Sequence, residues 1–202
     1  MSEIDFSQGL LPVIIQDADT HAVLMLGYMN EEAYRQTKET GLVTFYSRSR
    51  QSLWVKGETS GHYLHVVEIR SDCDGDALLI RARPAGPTCH RGTYSCFTEK
   101  GELSGSFLGH LSRLIQKRKE EALENSYTAR LFSEGLPRIA QKVGEEAVET
   151  VIAALSGSAY QTAQEAADLL YHLWVLLHAV GISPQEVEAI LRQRHEQRRS
   201  GM

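Results

Sequence analysis

Hydrophobic and polar residues follow different patterns in the two halves of the chain. In the first half, hydrophobic residues form short runs separated by polar turns, and this pattern is typical of β-strands. From Phe107 onward they recur at the three- and four-residue spacing of an amphipathic helix. The chain is therefore predicted to be an α+β protein, in which a β-rich domain precedes an all-α helical bundle.

One early helix interrupts the predicted strands. Asn30 can cap its N-terminus, and Gly41 can end it. The glycine and prolines of residues 83–87 predict a loop that would bring Cys89 back toward an acidic segment. The predicted strands cover residues 12–16, 22–26, 42–46, 53–55, 63–69 and 77–82.

Helix start and stop signals divide the second half of the chain. Ser126 can begin a helix, and Pro137 breaks or restarts it because proline lacks an N–H donor. Two long helices follow, and Ser183-Pro184 opens a last one. The two long helices are predicted over residues 138–155 and 160–180, joined by residues 156–158.

The length of 202 residues permits one large domain or two small ones. Because the pattern changes so clearly, we predict two domains with a boundary near residue 113. They cover residues 1–113 and 114–202.

The net charge of −5 argues against binding to nucleic acid or to an anionic membrane, since either would need a basic surface. The acidic N-terminus lacks the basic and apolar blocks of a signal peptide. The most apolar stretch, residues 169–182, is too short to span a bilayer. We therefore expect a cytoplasmic protein with neither kind of partner.

All three cysteines lie close to three aspartates. In an extended strand, alternation would put the aspartates on one face and the first cysteine on the other. Clustered carboxylates suit Mg²⁺, whereas three thiolates suit Zn²⁺ and leave a fourth position open for water. The predicted ligands are Asp72, Asp74 and Asp76 for Mg²⁺, and Cys73, Cys89 and Cys96 for Zn²⁺.

A second group of acidic residues lies on the two long helices. Within each helix the residues are spaced to share one side, so antiparallel helices could bring them together. Convergent carboxylates repel one another without a cation, which favours Mg²⁺, although acidic helix residues are more often solvated surface. Lys142, one turn earlier, could contact a phosphate. The acidic residues are Glu145, Glu146, Glu149, Glu165 and Asp168.

The motifs of both halves resemble known families. The first half resembles phosphoribosyl-AMP cyclohydrolase, on residues 54–61, 72–76 and 89–97. The second half resembles phosphoribosyl-ATP pyrophosphohydrolase, on residues 126–128, 142–149 and 165–168. Together the chain looks like the bifunctional histidine-biosynthesis proteins of bacteria.

This resemblance implies two consecutive hydrolyses. The helical domain would convert phosphoribosyl-ATP to phosphoribosyl-AMP and pyrophosphate. The β-rich domain would then open the N1–C6 bond of the adenine ring with zinc-activated water. It also implies a homodimer, in which Cys73 of one subunit joins Cys89 and Cys96 of the other at zinc.

The resemblance further suggests roles for individual residues. His90 and His110 are acid–base candidates, and Glu145 is a candidate base or supports the metal ligands. Glu146, Glu149, Glu165 and Asp168 would hold Mg²⁺ on the triphosphate. The predicted substrate contacts are Trp54, Lys56, Thr59 and Ser60 in the first domain and Arg130 and Lys142 in the second.

Two other interpretations fit parts of the pattern. The three cysteines and His90 could close a structural zinc site in a binding module fused to a helical dimerisation domain. Alternatively, the helical domain could be a housecleaning pyrophosphatase that acts on other nucleotides.

Overall fold

The computed structural model describes residues 4–7, 9–122 and 125–200. The chain divides into two compact units, Met1–His110 and Leu111–Met202. This division falls a few residues before the boundary expected from the sequence. The strands lie in the first unit together with one helix of ten residues, and the second unit is helical, which confirms the predicted α+β class.

The first unit contains a four-stranded mixed sheet and a separate two-stranded hairpin. The strands are β1 (Leu11–Asp17), β2 (Val23–Met29), β3 (Thr44–Ser47), β4 (Ser52–Val55), β5 (Leu64–Ser71) and β6 (Leu78–Pro84). In the larger sheet the strand order is β2-β1-β6-β5, where β1 pairs antiparallel with β2 and parallel with β6. β5 and β6 pair antiparallel, and β3 and β4 form the hairpin.

The helix of the first unit has the predicted ends. α1 (Glu31–Thr40) is capped by Asn30, whose side chain accepts a hydrogen bond from the Ala33 N–H at 2.9 Å. Gly41 follows with φ of 70°, a left-handed conformation that glycine adopts at little cost. Both ends are therefore determined by local sequence.

The core of the first unit lies on one face of β1. Leu11, Val13 and Ile15 alternate along that strand and are almost fully buried, as expected from the two-residue period of a strand. Phe45 of β3 is also fully buried, and its ring lies against the backbone of Gly27 in β2. The glycine allows the hairpin to pack closely on the sheet.

Five helices follow the strands in the described part of the chain, and the first of them begins just before the second unit. They are α2 (Phe107–Glu121), α3 (Tyr127–Glu134), α4 (Leu136–Ser156), α5 (Ala159–Ala179) and α6 (Pro184–Ser200). Ser126 caps α3, and Pro137 lies in the first turn of α4. Ser158 and Gln161 form a capping box at the start of α5.

The second unit has a small core and a large exposed apolar surface. Ile115, Leu131, Ile139 and Val175 are buried together, while Leu155 and its apolar neighbours on α4 are exposed. In the described part of the chain, no single helix is long and apolar enough to cross a membrane. By length and composition alone, α5 and α6 pass that test as a bent pair.

Gly27→Ala should destabilise the first unit. A Cβ at this position would lie 2.3 Å from the Phe45 ring, so we expect a loss of about 1–3 kcal/mol from overpacking. Urea unfolding followed by Trp54 fluorescence, in a Trp174→Phe background, measures the change. Adding Phe45→Leu should recover part of the loss, whereas strictly additive effects would contradict the steric explanation.

Candidate metal centres and active sites

The three aspartates of the first unit lie in the loop between β5 and β6. The prediction of an extended strand was wrong, because β5 ends at Ser71. The Asp72 carboxylate accepts hydrogen bonds from the N–H groups of Gly75 and Ala77, at 3.0 and 3.2 Å, and so folds the chain into a turn. The turn brings Asp72, Asp74 and Asp76 together, with one oxygen of each within 4.8 Å of the others.

Repulsion within this loop shifts the pKa values of its carboxylates. The charge of Asp74, followed by the hydrogen bond and charge of Asp72, raises the pKa of Asp76. Desolvation acts to raise the pKa of Asp72, but hydrogen bonds from Ala77, Asp76, Gly75 and Asp74 outweigh it and the pKa is lowered. Exposed oxygens that repel one another suit a hard divalent cation, so the residues present fit Mg²⁺.

The cysteines fall into two groups within one chain. Cys73 is exposed in the aspartate loop, while Cys89 and Cys96 interact with each other. The three sulfur atoms do not lie within 4.8 Å of one another. The loop after β6 therefore does not bring Cys89 back to the aspartate loop, and the three thiols do not form one group within a single chain.

The Cys89 and Cys96 thiols have different environments. Hydrogen bonds from the Arg91 N–H and the Thr93 side chain lower the pKa of Cys89. Burial, and then the neighbouring Cys89, raise the pKa of Cys96. A metal binds the thiolate form, so Cys89 is the better prepared of the two to act as a ligand.

A buried hydrogen-bond network anchors the loop that carries these cysteines. The Tyr94 hydroxyl donates to the Asp17 carboxylate at 2.6 Å, and the Thr20 hydroxyl lies 2.7 Å from the same phenol oxygen. The N–H of Cys96 donates to the Leu24 carbonyl at 2.8 Å. The hairpin of β1 and β2 thereby determines where the loop lies.

All four predicted substrate contacts of the first unit line one cleft, together with Cys89 and His90. The cleft has a volume of about 440 Å³. Sequence reasoning missed two of its residues, Arg50 and His62. The His62 ring lies so close to Gly86 that a Cβ there would approach its Cδ2 to 2.5 Å, a contact that no local motif reveals. The predicted contacts are Trp54, Lys56, Thr59 and Ser60.

The two candidate histidines of this unit have different surroundings. His90 is exposed, and its Nδ1 lies 3.9 Å from the Cys89 sulfur. His110 is not among the residues that line the cleft. Its Nε2 donates to the Ser104 carbonyl at 2.9 Å, and its ring meets Tyr94 edge-on. His110 therefore packs beside the anchor of the cysteine loop.

A second carboxylate group forms in the helical unit. Glu146 of α4 and Glu165 and Asp168 of α5 bring one oxygen each to within 4.8 Å of the others. Glu146 is only 6% exposed. The charge of Glu146, then desolvation, then the charge of Glu165 raise the pKa of Glu149, which places it beside the group. Glu165 is half-buried and Asp168 is exposed, and a group of converging carboxylates with one buried member fits a divalent cation.

Lys142 provides a positive charge at this site. Its Nζ lies 2.7 Å from a Glu146 oxygen and 3.0 Å from a Glu145 oxygen, and these hydrogen bonds raise the pKa of Lys142. Glu145 pairs with Lys142 and Arg138 and lies outside the group of three. Arg130 of α3 pairs with Glu134 on the same helix, with 3.7 Å between the Arg130 Nε and the Glu134 Oε1.

The sequence analysis assigned no role to His172, which lies next to Glu146 and Asp168, or to Tyr127, which contacts His172. His172 is buried, and its Nδ1 donates to the Asp168 carbonyl at 2.9 Å because a carbonyl can only accept. The same nitrogen lies 3.7 Å from Glu146, and Nε2 lies 3.1 Å from the Tyr127 hydroxyl. The four-residue spacing from Asp168 to His172 was the only local signal.

Known protein families match both halves of the chain. The phosphoribosyl-AMP cyclohydrolase family matches residues 25–98, and the phosphoribosyl-ATP pyrophosphohydrolase family matches residues 108–195. The fold and the two family matches define a bifunctional hydrolase.

Proteins of the same two-domain organisation match nearly the whole chain. The histidine biosynthesis bifunctional protein HisIE of Bacteroides thetaiotaomicron is 54% identical over 96% of each chain. That of Xylella fastidiosa (strain Temecula1) is 53% identical over 96% of this chain and 94% of the relative. That of Escherichia coli K12 is 52% identical over 96% of each. The chain belongs to this family of histidine biosynthesis bifunctional proteins.

Tyr94→Phe should destabilise the first unit by about 1–3 kcal/mol, because it removes one of the charge-assisted hydrogen bonds that the buried Asp17 accepts. Urea unfolding followed by Trp54 fluorescence, again in the Trp174→Phe background, measures the loss. Tyr63→Phe is the matched control, since the Tyr63 hydroxyl has no hydrogen-bond partner among the described residues. Equal stability of the two variants would contradict the proposed anchor.

Proposed function

We propose that the helical domain, residues 114–202, hydrolyses phosphoribosyl-ATP to phosphoribosyl-AMP and pyrophosphate. The domain of residues 1–113 then adds water to the adenine ring and opens its N1–C6 bond, giving the phosphoribosyl-formimino carboxamide ribotide. The observation that carries this proposal is that each unit holds its own group of three convergent carboxylates. Two separate groups of carboxylates in one chain support a proposal of two metal-dependent hydrolyses.

In the helical domain, Glu146, Glu149, Glu165 and Asp168 would hold Mg²⁺. When bound, Mg²⁺ neutralises charge on the triphosphate and on the departing pyrophosphate. Their fixed positions on two helices would determine where the cation lies. Their second role would be to orient the attacking water by accepting a hydrogen bond from it.

Lys142 and Arg130 would contact the phosphates. Lys142 is already held at the edge of the carboxylate group by Glu146. Its ammonium can move from Glu146 to a phosphate oxygen without leaving the site. Glu145, whose pKa the Lys142 hydrogen bond lowers, is ionised near neutral pH and can act as a base or hold Lys142 in place.

In the first domain, Cys89 and Cys96 would hold Zn²⁺ together with Cys73 from the second subunit of a homodimer. When bound, zinc lowers the pKa of a water molecule to about 7 and so supplies a nucleophile at neutral pH. The separation of Cys73 from the other two thiols in one chain supports the sharing of this site.

The remaining residues of the first domain would bind substrate and move protons. Asp72, Asp74 and Asp76 would hold Mg²⁺ that positions the substrate. Trp54, Lys56, Thr59 and Ser60 would contact it from the wall of the Cys89 cleft. His90, exposed beside Cys89, is the histidine best located to transfer a proton to or from the ring, and His110 stays a sequence-based candidate. We propose a cytoplasmic location for this chemistry.

A product analysis tests the proposal directly. Purified protein is incubated with phosphoribosyl-ATP, Mg²⁺ and trace Zn²⁺, and the products are resolved by mass. We expect pyrophosphate and a species one water heavier than phosphoribosyl-AMP. Preference for other noncanonical triphosphates would instead support a housecleaning pyrophosphatase.

Single substitutions should separate the two activities. Cys89→Ala should abolish ring opening and let phosphoribosyl-AMP accumulate, because it removes a zinc ligand, while pyrophosphate release continues. Glu149→Ala should stop pyrophosphate release, while added phosphoribosyl-AMP is still opened. Loss of both activities in either variant, with an unchanged melting temperature, would contradict the assignment of two sites.

Metal removal should separate them as well. After treatment with a chelator we expect neither reaction. Mg²⁺ alone should restore pyrophosphate release. Ring opening should require Zn²⁺ in addition, because the thiolates of the cysteine site are soft ligands that favour Zn²⁺ over Mg²⁺. Full ring opening with Mg²⁺ alone, in protein shown by elemental analysis to be free of zinc, would refute the zinc assignment.

A further inference from the structure

Trp54 lines two clefts in the first unit. One is the cleft already described, which contains Cys89, His90 and Arg50. The other has a volume of about 530 Å³ and is mostly apolar and aromatic, with Arg48 and Ser49 among its lining residues. Each cleft therefore contains one arginine of the sequence Arg48-Ser49-Arg50.

The β3–β4 hairpin determines where these arginines lie. Its strands pair Phe45 with Trp54 and Ser47 with Ser52, so the turn between them consists of residues 48–51. Gln51 completes the turn with φ of 50°. Because the arginines and Trp54 belong to one hairpin, their relative positions are set by a short and well-paired element.

Neither arginine is neutralised within the described part of the chain. Arg48 lies over the ring of Tyr28, with 4.0 Å between the guanidinium carbon and the ring centroid. The backbone N–H and the side-chain Nε of Arg50 both donate to the Ser47 hydroxyl, at 3.2 and 3.5 Å, and this neutral group does not offset the arginine's charge. No described carboxylate forms an ion pair with either side chain. In a chain of net charge −5, two unpaired arginines lining adjoining clefts indicate an anionic ligand.

We propose that Arg48 and Arg50 each bind one phosphate of a substrate that carries two separate phosphate groups. The guanidinium group donates two parallel hydrogen bonds, which match the oxygens of a phosphate. The inference rests on the proposed cyclohydrolase function, since phosphoribosyl-AMP carries a 5′-phosphate on each of its two riboses. Trp54, which lines both clefts, lies where it can contact the base between them.

The test compares phosphoribosyl-AMP, which has two phosphates, with AMP, which has one. Ring opening is assayed with the metal-loaded full-length protein and added phosphoribosyl-AMP, and AMP serves as a competitive inhibitor. Arg48→Gln and Arg50→Gln should each raise KM for phosphoribosyl-AMP by on the order of tenfold, with kcat largely retained. The double variant should show the product of the two effects. Only one of the two single variants should raise the inhibition constant of AMP.

Arg35→Gln is the matched control. Arg35 is an exposed arginine of α1 that pairs with Glu39 at 3.2 Å and lines neither cleft, so its loss should leave KM unchanged. A KM within twofold of wild type in either cleft variant would overturn the inference. So would an equal loss of AMP inhibition in both variants. Those outcomes leave the proposed function standing, whereas failure of the wild-type protein to open phosphoribosyl-AMP would remove the proposed function itself.

Discussion

Repulsion between carboxylates is the constraint on which both candidate sites depend. Each unit brings one oxygen from each of three acidic side chains to within 4.8 Å of the others, and the negative charge raises the pKa of Asp76 within the first group and of Glu149 beside the second. Such groups repel one another, so the surrounding scaffold must hold them together. The two units achieve this in different ways.

The aspartate loop keeps its charges in water, and the backbone N–H groups of Gly75 and Ala77 stabilise Asp72. In the helical group Glu165 is half-buried and Asp168 exposed, but Glu146 is almost completely buried and so has little contact with water. Lys142 supplies a positive charge beside Glu146, and neighbouring side chains such as His172 limit how far this carboxylate can move. The first group is therefore stabilised by water and backbone N–H groups, whereas the buried member of the second is stabilised by an ammonium group.

Features set by local sequence were predictable, and features set by contacts between distant segments were not. The ends of α1 follow from Asn30 and Gly41, and the predicted class follows from the change of period near Phe107. The strand predicted through the aspartates failed because an aspartate that caps its own turn competes with pairing to a neighbouring strand. Arg50 and His62 were missed for another reason: their place in the cleft depends on how the hairpin and the loop after β6 pack, which no spacing along the chain records.

The cysteines and the helical carboxylates differ in whether one subunit brings the group together. Glu146, Glu165 and Asp168 come together within one chain, so these three carboxylates converge without a contribution from a second subunit. The thiols do not, because Cys73 lies in the aspartate loop and Tyr94 anchors the segment of Cys89 and Cys96 to a different part of the sheet. Under the proposed sharing of zinc, the same anchor that fixes two ligands also prevents the third from joining them in one subunit. Ring opening would then depend on assembly of the dimer, because the Tyr94 anchor keeps Cys89 and Cys96 away from Cys73 of the same subunit.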